Sequence, residues 1–339
     1  MVSILIKSFN RAFYLERCLV SIQKCVTGNY QIIILDDGTP EKYLKKLQEK
    51  FPKIIIKKSA QYNEKVEAIE ENLKSGKEIN GFKIPTDLWI EAAKNASEYF
   101  IMIEDDVWYT DKINLDEILI ELQKNNIQLL KLGWLGNPNL SSKHQNISEK
   151  INREIPKLIT TTQPFLNWIF QNKYKSYSIL KKLKITKPTA FYDYYVLNSI
   201  AMGFYHKNYW LHIWQDFTNE VNEKKQLLNA VSYYKNHKHN NFLARFHQEI
   251  LKTTFSSSAT NSYHKYSIDL NINKINHILN EEWFNGNLDI MQNYPKDFSD
   301  DYIISLLIKN NFSESEIENW KLWTQKFKQQ YQQIGCNTD

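Results

Sequence analysis

The chain has 339 residues, 42% hydrophobic and 14% aromatic, with 43 basic against 38 acidic side chains and a formal charge of +5. That length and apolar content support a buried core, as one large domain or two ordinary ones, and exclude a disordered chain. Opposite charges are interspersed, as in KYLKKLQEKFPK, so there is no concentrated basic face and nucleic acid is not expected as a partner.

VSILI at 2–6 predicts a strand, and Leu15, Leu19 and Ile22 recur at helical spacing within 13–24. YQIIILDD at 30–37 predicts a second strand ending in a carboxylate pair and Gly38. EKYLKKLQEK at 41–50 reads as a helix, KIIIKK at 53–58 as a third strand, and 61–97 as helices interrupted by SGKEINGFKIP. FIMI at 100–103 predicts a fourth strand, LDEILIELQK at 115–124 a helix, and IQLLKLGWLG at 127–136 a further strand. The polar segment 137–153 reads as an exposed loop. Helical signals return at 166–183; 191–214 reads as a helix passing through Gly203 into a strand, 221–236 as a helix, and 253–263 as a polar loop. The rest predicts helices. The last has a capping box, Ser313 with Glu316, and a staple, Phe312 with Ile317. Its apolar face, Ile317, Trp320, Trp323, Phe327 and Tyr331, predicts docking on the protein body, with a peripheral membrane contact as the alternative.

The alternation of strands and helices predicts an α/β fold over residues 1–215: a Rossmann-like, mostly parallel sheet with helices on both faces. Residues 216–339 are expected to be a mainly helical C-terminal extension packed on that domain. Cys18, Cys25 and Cys336 show neither metal-ligand nor disulfide spacing, which points to a reducing compartment. No apolar run approaches the roughly 20 residues of a bilayer span, and MVSILIK enters a strand at once, leaving no room for a signal peptide. A cytoplasmic location is expected, the inner face of the membrane included.

Ligands of an open parallel sheet bind beyond the carboxyl ends of its strands. Three polar clusters fall at such ends: Lys7-Ser8-Phe9-Asn10-Arg11, then Asp36-Asp37-Gly38-Thr39, then Glu104-Asp105-Asp106. Taken singly, Ser8 and Asn10 are ordinary helix caps and Asp36-Asp37-Gly38 an ordinary turn. All three at one edge favour a site. Three adjacent carboxylates repel one another and resist losing water, so they require solvent or a cation. The simplest cation is Mg2+ or Mn2+, bridging carboxylates and a nucleotide diphosphate. The lack of G-x-x-x-x-G-K-[ST] and G-x-G-x-x-G argues against P-loop kinases and dinucleotide enzymes.

VSILIKSFNR resembles the V-S-I-x-I-P-x-Y-N-R opening of family 2 glycosyltransferases, and IIILDDGTPEK resembles their V-D-D-G-S-x-D segment. IMIEDDVW is similar to their D-x-D-type metal and nucleotide motif, in an E-D-D form, and FYDYYVLNSIAMGF to their later E-D segment. The resemblance covers roughly residues 1–215. It implies a GT-A fold and transfer of a sugar from a nucleotide-sugar, commonly a UDP-sugar, to a glycan, lipid-linked sugar or protein. By position it places Ser8, Asn10 and Arg11 at the nucleotide pocket, Asp36 or Asp37 on the base, and Glu104 and Asp105 near ribose and sugar. Asp106 becomes the direct metal ligand, with His239 as the candidate late histidine, and Asp193 the base of an inverting transfer. Such a base helps the acceptor hydroxyl attack, while a metal takes up charge on the departing phosphate. The plainer reading of Asp193 is a carboxylate at a helix N-terminus. Lys7, Phe9 and Tyr192 depart from the family's Pro, Tyr and first acidic residue. Arg245, His247 and Lys252 are candidates to meet the diphosphate, with Ser256–Ser258 in a closing loop; a polar surface loop is the alternative. Two rivals remain. A nucleotidyltransferase lacks support from any Gly- and Arg/Lys-rich loop after the first strand. A sugar-nucleotide binder without turnover is kept open by Tyr192.

Overall fold

The computed structural model describes residues 1–137, 143–158, 160–171, 182, 192–199, 202–216, 220–237, 242–259 and 264–338. The strands are β1 (Val2–Ser8), β2 (Val26–Thr27), β3 (Tyr30–Asp36), β4 (Ile55–Lys58), β5 (Tyr99–Glu104), β6 (Val107–Tyr109) and β7 (Ile113–Asn114). They continue with β8 (Leu129–Lys131), β9 (Lys143–Asn146), β10 (Ile151–Ile155), β11 (Met202–His206), β12 (Leu243–Phe246) and β13 (Leu251–Thr253). Nine of them form one sheet in the order β4-β3-β1-β5-β11-β8-β12-β10-β9. All nine run in one direction except β11 and β10.

The period of two along β1 explains the layering. Ile4 and Ile6 enter one core and Leu5 the other. The first core also takes Leu15, Leu19 and Ile22 of helix Ala12–Cys25 and Leu279 and Trp283 of helix Ile272–Phe284. The second takes Ile90 of helix Thr86–Asn95 and Trp210 of helix Lys207–Ile213. The expected fold class is observed: α/β, a mostly parallel sheet with helices on both faces, and helices through the C-terminal region.

Three local expectations are corrected. Part of the segment read as a loop over 137–153 forms β9 and the start of β10, with Ile151 fully buried. These edge strands carry mostly exposed or half-exposed polar residues, so no apolar alternation announces them; long-range pairing of β10 with β12 builds them. Within 191–214 the order is a 3-10 turn (Tyr192–Leu197), then β11 with Gly203 inside it, then a helix. Finally, Leu243–Phe246, within the extension expected to be mainly helical, is a strand of the main sheet, too short and too interrupted by Arg245 to show a period.

The last helix, Glu314–Gln332, starts at the expected capping box and buries Ile317, Trp320 and Trp323 in the protein. With those residues in the core, that part of the face has no membrane to meet. No helix among the described residues is long and apolar enough to cross a membrane.

Asn10 fastens the N-terminal motif to this C-terminal region. Its φ of 48° is left-handed, a conformation Asn adopts more readily than most residues. Its side-chain amide donates to Asn273 Oδ1 at 2.7 Å, and Asn280 Nδ2 donates to the Asn10 carbonyl at 3.0 Å. Asn10→Ala removes buried partners and puts Ala in the left-handed region. The expected loss is roughly 2–4 kcal/mol of unfolding free energy, read from urea denaturation. A variant within about 0.5 kcal/mol of the parent would show that the asparagine cluster does not hold the helix.

Candidate functional site

Parallel pairing brings the motif segments together. Ser8 lies opposite Asp36, and Lys7 opposite Glu104. Beyond β1 the chain turns at Asn10 into helix Ala12–Cys25. Arg11 stands at the N-cap of that helix and makes no side-chain cap. Its guanidinium reaches instead to the end of β5: Nη2 lies 2.5 Å from Asp105 Oδ1 and Nη1 2.6 Å from Asp106 Oδ2. The other Asp105 oxygen accepts the Phe9 N–H at 2.9 Å. Lys7 Nζ lies 2.6 Å from Glu104. Much of the countercharge that the three carboxylates require is therefore supplied by the chain itself, from the segment one strand away.

Electrostatics follows burial and pairing. Burial pushes the Asp105 carboxyl up to about 7 against the pull of Arg11, and it raises Asp106 in the same way. Burial also works against Glu104, but Lys7 and Arg11 outweigh it and hold that carboxyl below its usual range. The Arg11 guanidinium, disfavoured by burial, is held well above its usual range by Asp105, Asp106 and Glu104. The Glu104 side chain, 33% exposed, is the most open of the three acids.

At the end of β3 the two aspartates part. Asp36 is fully buried, and its Oδ1 accepts the N–H groups of Gly38 (3.1 Å) and Thr39 (2.8 Å). It builds the turn. Gly38 is required there: its φ is 142°, and a Cβ would come within 3.0 Å of the Lys65 Cβ. Asp37 pairs with Lys65 at 2.5 Å.

A cavity of about 980 Å³ opens beyond these strand ends. Of the predicted site residues, Ser8, Arg11, Asp37, Glu104 and Asp106 line it. Asn10, Asp36 and Asp105 are not in its wall: the first holds helix Ile272–Phe284, the second the turn, and the third sits beneath Arg11. Asp193 belongs to the turn Tyr192–Leu197, but its side chain lies outside the described residues; Tyr195, Asn198 and Ser199 beside it line the cavity. His239 also lies outside the described residues. Arg245 is placed over the Trp134 ring at 4.6 Å and beside Glu154 at 3.9 Å, so Trp134 and not Arg245 faces the cavity. Lys252 pairs in β13 against Trp108. Ser257 and Ser258 line the cavity but are tied to Asn276, through its Oδ1 (2.7 Å) and Nδ2 (3.0 Å).

Several wall residues escaped the sequence reading. Lys65 sits in a helix rich in charges, and Lys131 is paired with the distant Glu154 at 2.9 Å. Trp89, 4.9 Å from Lys7 Nζ, and the loop 79–85 also contribute, as do Phe327 and Tyr331 of the last helix. Only the aromatic stripe of that helix gave a signal, and it was equally a signal of core packing.

The residues present can be tested against a divalent ion. Asp106 Oδ1 is buried without a hydrogen-bond partner, while Oδ2 is engaged by Arg11. Among the described residues no three His, Cys, Asp or Glu side chains converge on one point. One spare carboxylate oxygen on a cavity wall fits an ion that draws its other ligands from diphosphate and water, as Mg2+ commonly does.

Two outcomes follow from these pairings. Arg11→Ala would leave Asp105 and Asp106 buried and uncompensated, so unfolding free energy should fall by about 3–5 kcal/mol in urea titrations near neutral pH. A loss under about 1 kcal/mol would mean the carboxylates are paired by something else. The second outcome concerns pH. Burial pushes the Asp36 carboxyl up to about 6, its hydrogen bonds moderating the rise, whereas an unfolded Asp titrates near ~3.9. Between those values the folded protein holds a proton that the unfolded chain has released, so stability falls as pH rises through this window. Asp36→Asn keeps an oxygen for the two N–H groups and removes the titration. Its stability relative to the parent should improve by on the order of 2 kcal/mol from pH 4 to pH 8. Parallel pH profiles would contradict the assignment.

Residues 3–77 match the family model described as Glycosyl transferase family 2. Among curated proteins none matches the sequence. Among solved structures the chain is similar to S. aureus TarS 1-349, at 12% identity over 97% of this chain and 92% of that one, with a TM-score of 0.42. The same TarS fragment in complex with UDP gives 11% identity, 97% and 92% coverage and a TM-score of 0.43. The mannosyltransferase PcManGT from Pyrobaculum calidifontis, in complex with GDP-Man and Mn2+, gives 12% identity over 39% of this chain and 35% of that one, with a TM-score of 0.27. At such TM-scores these likenesses carry no argument about this chain. The likeness to a known family thus rests on residues 3–77, which are similar to the model described as Glycosyl transferase family 2.

Proposed function

We propose that the protein is a nucleotide-sugar glycosyltransferase of the GT-A kind, moving a sugar with inversion from a UDP-sugar to a hydroxyl of a glycan, a lipid-linked sugar or a protein. The supporting observation is the meeting of Ser8, Arg11, Asp37, Glu104 and Asp106 at one cavity beyond the carboxyl ends of a mostly parallel sheet. The donor unit in this reading is 1–215, with 216–339 completing the cavity.

The roles follow from charge and position. Asp37, its carboxylate steadied by Lys65, faces the base and offers an acceptor for a ring N–H. Lys7 and Arg11 place positive charge beside the diphosphate. Glu104 turns an open carboxylate towards the ribose and sugar hydroxyls. Asp106 is the proposed holder of Mn2+ or Mg2+ through its spare oxygen, with His239 as second ligand. When bound, such an ion stabilises negative charge on the leaving diphosphate. Asp193 is the proposed general base for the acceptor hydroxyl; its turn borders the cavity.

The test is a panel of nucleoside diphosphates and nucleotide-sugars, with Mn2+ or with EDTA. The expected result is calorimetric binding of UDP, release of UDP from at least one UDP-sugar, and loss of both on chelation. Asp106→Asn should weaken Mn2+-supported UDP binding at least tenfold. Asp193→Asn should keep UDP binding and lower transfer by about 100-fold or more. A chain that binds no nucleoside diphosphate is not a glycosyltransferase, and release of pyrophosphate from a nucleoside triphosphate would mark a nucleotidyltransferase.

A further inference from the structure

The cavity has two unlike ends. At the β3 end stand Asp37, Lys65 and the loop 79–85. At the other end, beyond β5 and β8, the wall is aromatic and comes from the last third of the chain. Phe255, Phe327 and Tyr331 form a triangle there, with ring centroids 5.8 Å, 5.2 Å and 5.5 Å apart and interplanar angles of 61°, 66° and 80°. All three line the cavity, with Gln330 and Lys265 beside them.

The last helix changes role along its length. Trp320 and Trp323 are buried, whereas Phe327 and Tyr331, one and two turns beyond Trp323, are only half-buried. A helix that only filled the core would not open its aromatic stripe onto a cavity. The opening is also next to the reactive edge. Tyr331 shares the cavity wall with Glu104 and Asp106, and burial pushes its phenol up. It stays protonated at neutral pH and can donate a hydrogen bond.

A pyranose ring has a face of C–H groups and a rim of hydroxyls. An aromatic wall with a few polar groups at its edge covers the first and satisfies the second. Under the glycosyltransferase reading, on which this rests, the base occupies the Asp37 end and the donor sugar lies over Glu104 and Asp106. The next ring along the cavity belongs to the acceptor. We propose that Phe255, Phe327 and Tyr331 form the platform for the acceptor's pyranose ring, with the Tyr331 hydroxyl, Gln330 and Lys265 meeting its hydroxyls.

The experiment uses the full chain with UDP and Mn2+, a panel of methyl pyranosides (hexosides, N-acetylhexosaminides and a uronide), and saturation-transfer NMR. Calorimetry of UDP binding runs in parallel. At least one pyranoside should show a signal that falls fivefold or more in Phe327→Ala and in Phe327→Leu, and severalfold in Tyr331→Phe. UDP affinity should stay within twofold throughout. The Leu and Phe variants keep apolar volume, so the result does not hinge on the fold surviving Ala; melting temperatures check this. UDP binding with no pyranoside signal, or a signal unchanged in Phe327→Leu, overturns the platform. A pyranoside signal lost in Phe327→Leu without any UDP binding keeps the platform and sinks the donor reading. Failure of both ligands to bind overturns both.

Discussion

One guanidinium holds the polar edge of this protein together. Two adjacent aspartates at the end of a buried strand cannot both remain charged without a partner, because each has given up water and each repels the other. Arg11 spans them with separate nitrogens, which a lysine's single ammonium group could not do with the same geometry. The bridge then constrains everything attached to it. It fixes the loop after β1, and that loop forces the left-handed turn at Asn10. The turn aims helix Ala12–Cys25 into the core and presents Asn10 to Asn273 and Asn280. The geometry of the cavity edge and the docking of helix Ile272–Phe284 are thus one constraint seen from two sides.

How much of this could be read from the residues depends on the range of the forces involved. β1, β3 and β5 are short apolar runs whose partners share the same pattern, and each ends at a visible polar cluster, so strands and site edge were legible together. The capping box at Ser313 is local and was legible as well. β9, β10 and β12 were not. Their residues are largely polar or few; β10 and β12 are ordered by pairing across a long sequence separation and by the buried Lys131–Glu154 ion pair, and β9 then adds to β10 as a local hairpin. The site shows the same division. The residue types at the three strand ends pointed to the cavity, but not which of two neighbours would face it: Asp37 does and Asp36 does not. The need for a cation beside Glu104–Asp106 was also legible. That Arg11 and Lys7 would supply so much of it was hidden, because no sequence period links residue 11 to residue 106.

A protein that neutralises its own acids keeps its site folded before any ligand arrives. The Glu104 carboxylate stays open in that arrangement and the buried spare oxygen of Asp106 stays without a hydrogen-bond partner, while Asp105 is committed to the framework. Chemistry and architecture are divided between neighbours in one short run of sequence. The same division recurs at Asp36 and Asp37, and along the last helix between Trp323 and Phe327.

The cavity wall joins residues from both ends of the numbering: Lys7 lies on it, and so do Ile334 and Cys336. Asn137 Nδ2 holds the carbonyl of Ile334 at 2.8 Å, and the Leu135 carbonyl accepts the Asn337 N–H at 2.7 Å, so the late segment is fastened directly to the loop beyond β8. Translation delivers these parts in sequence, at ~5–20 residues per second. While the chain is still on the ribosome, the strand-end acids and their cations can already meet, but the basin beside them lacks its far wall. The segment from Phe327 to Cys336 encloses it, so the growing polypeptide completes this cavity only after that segment has left the ribosome.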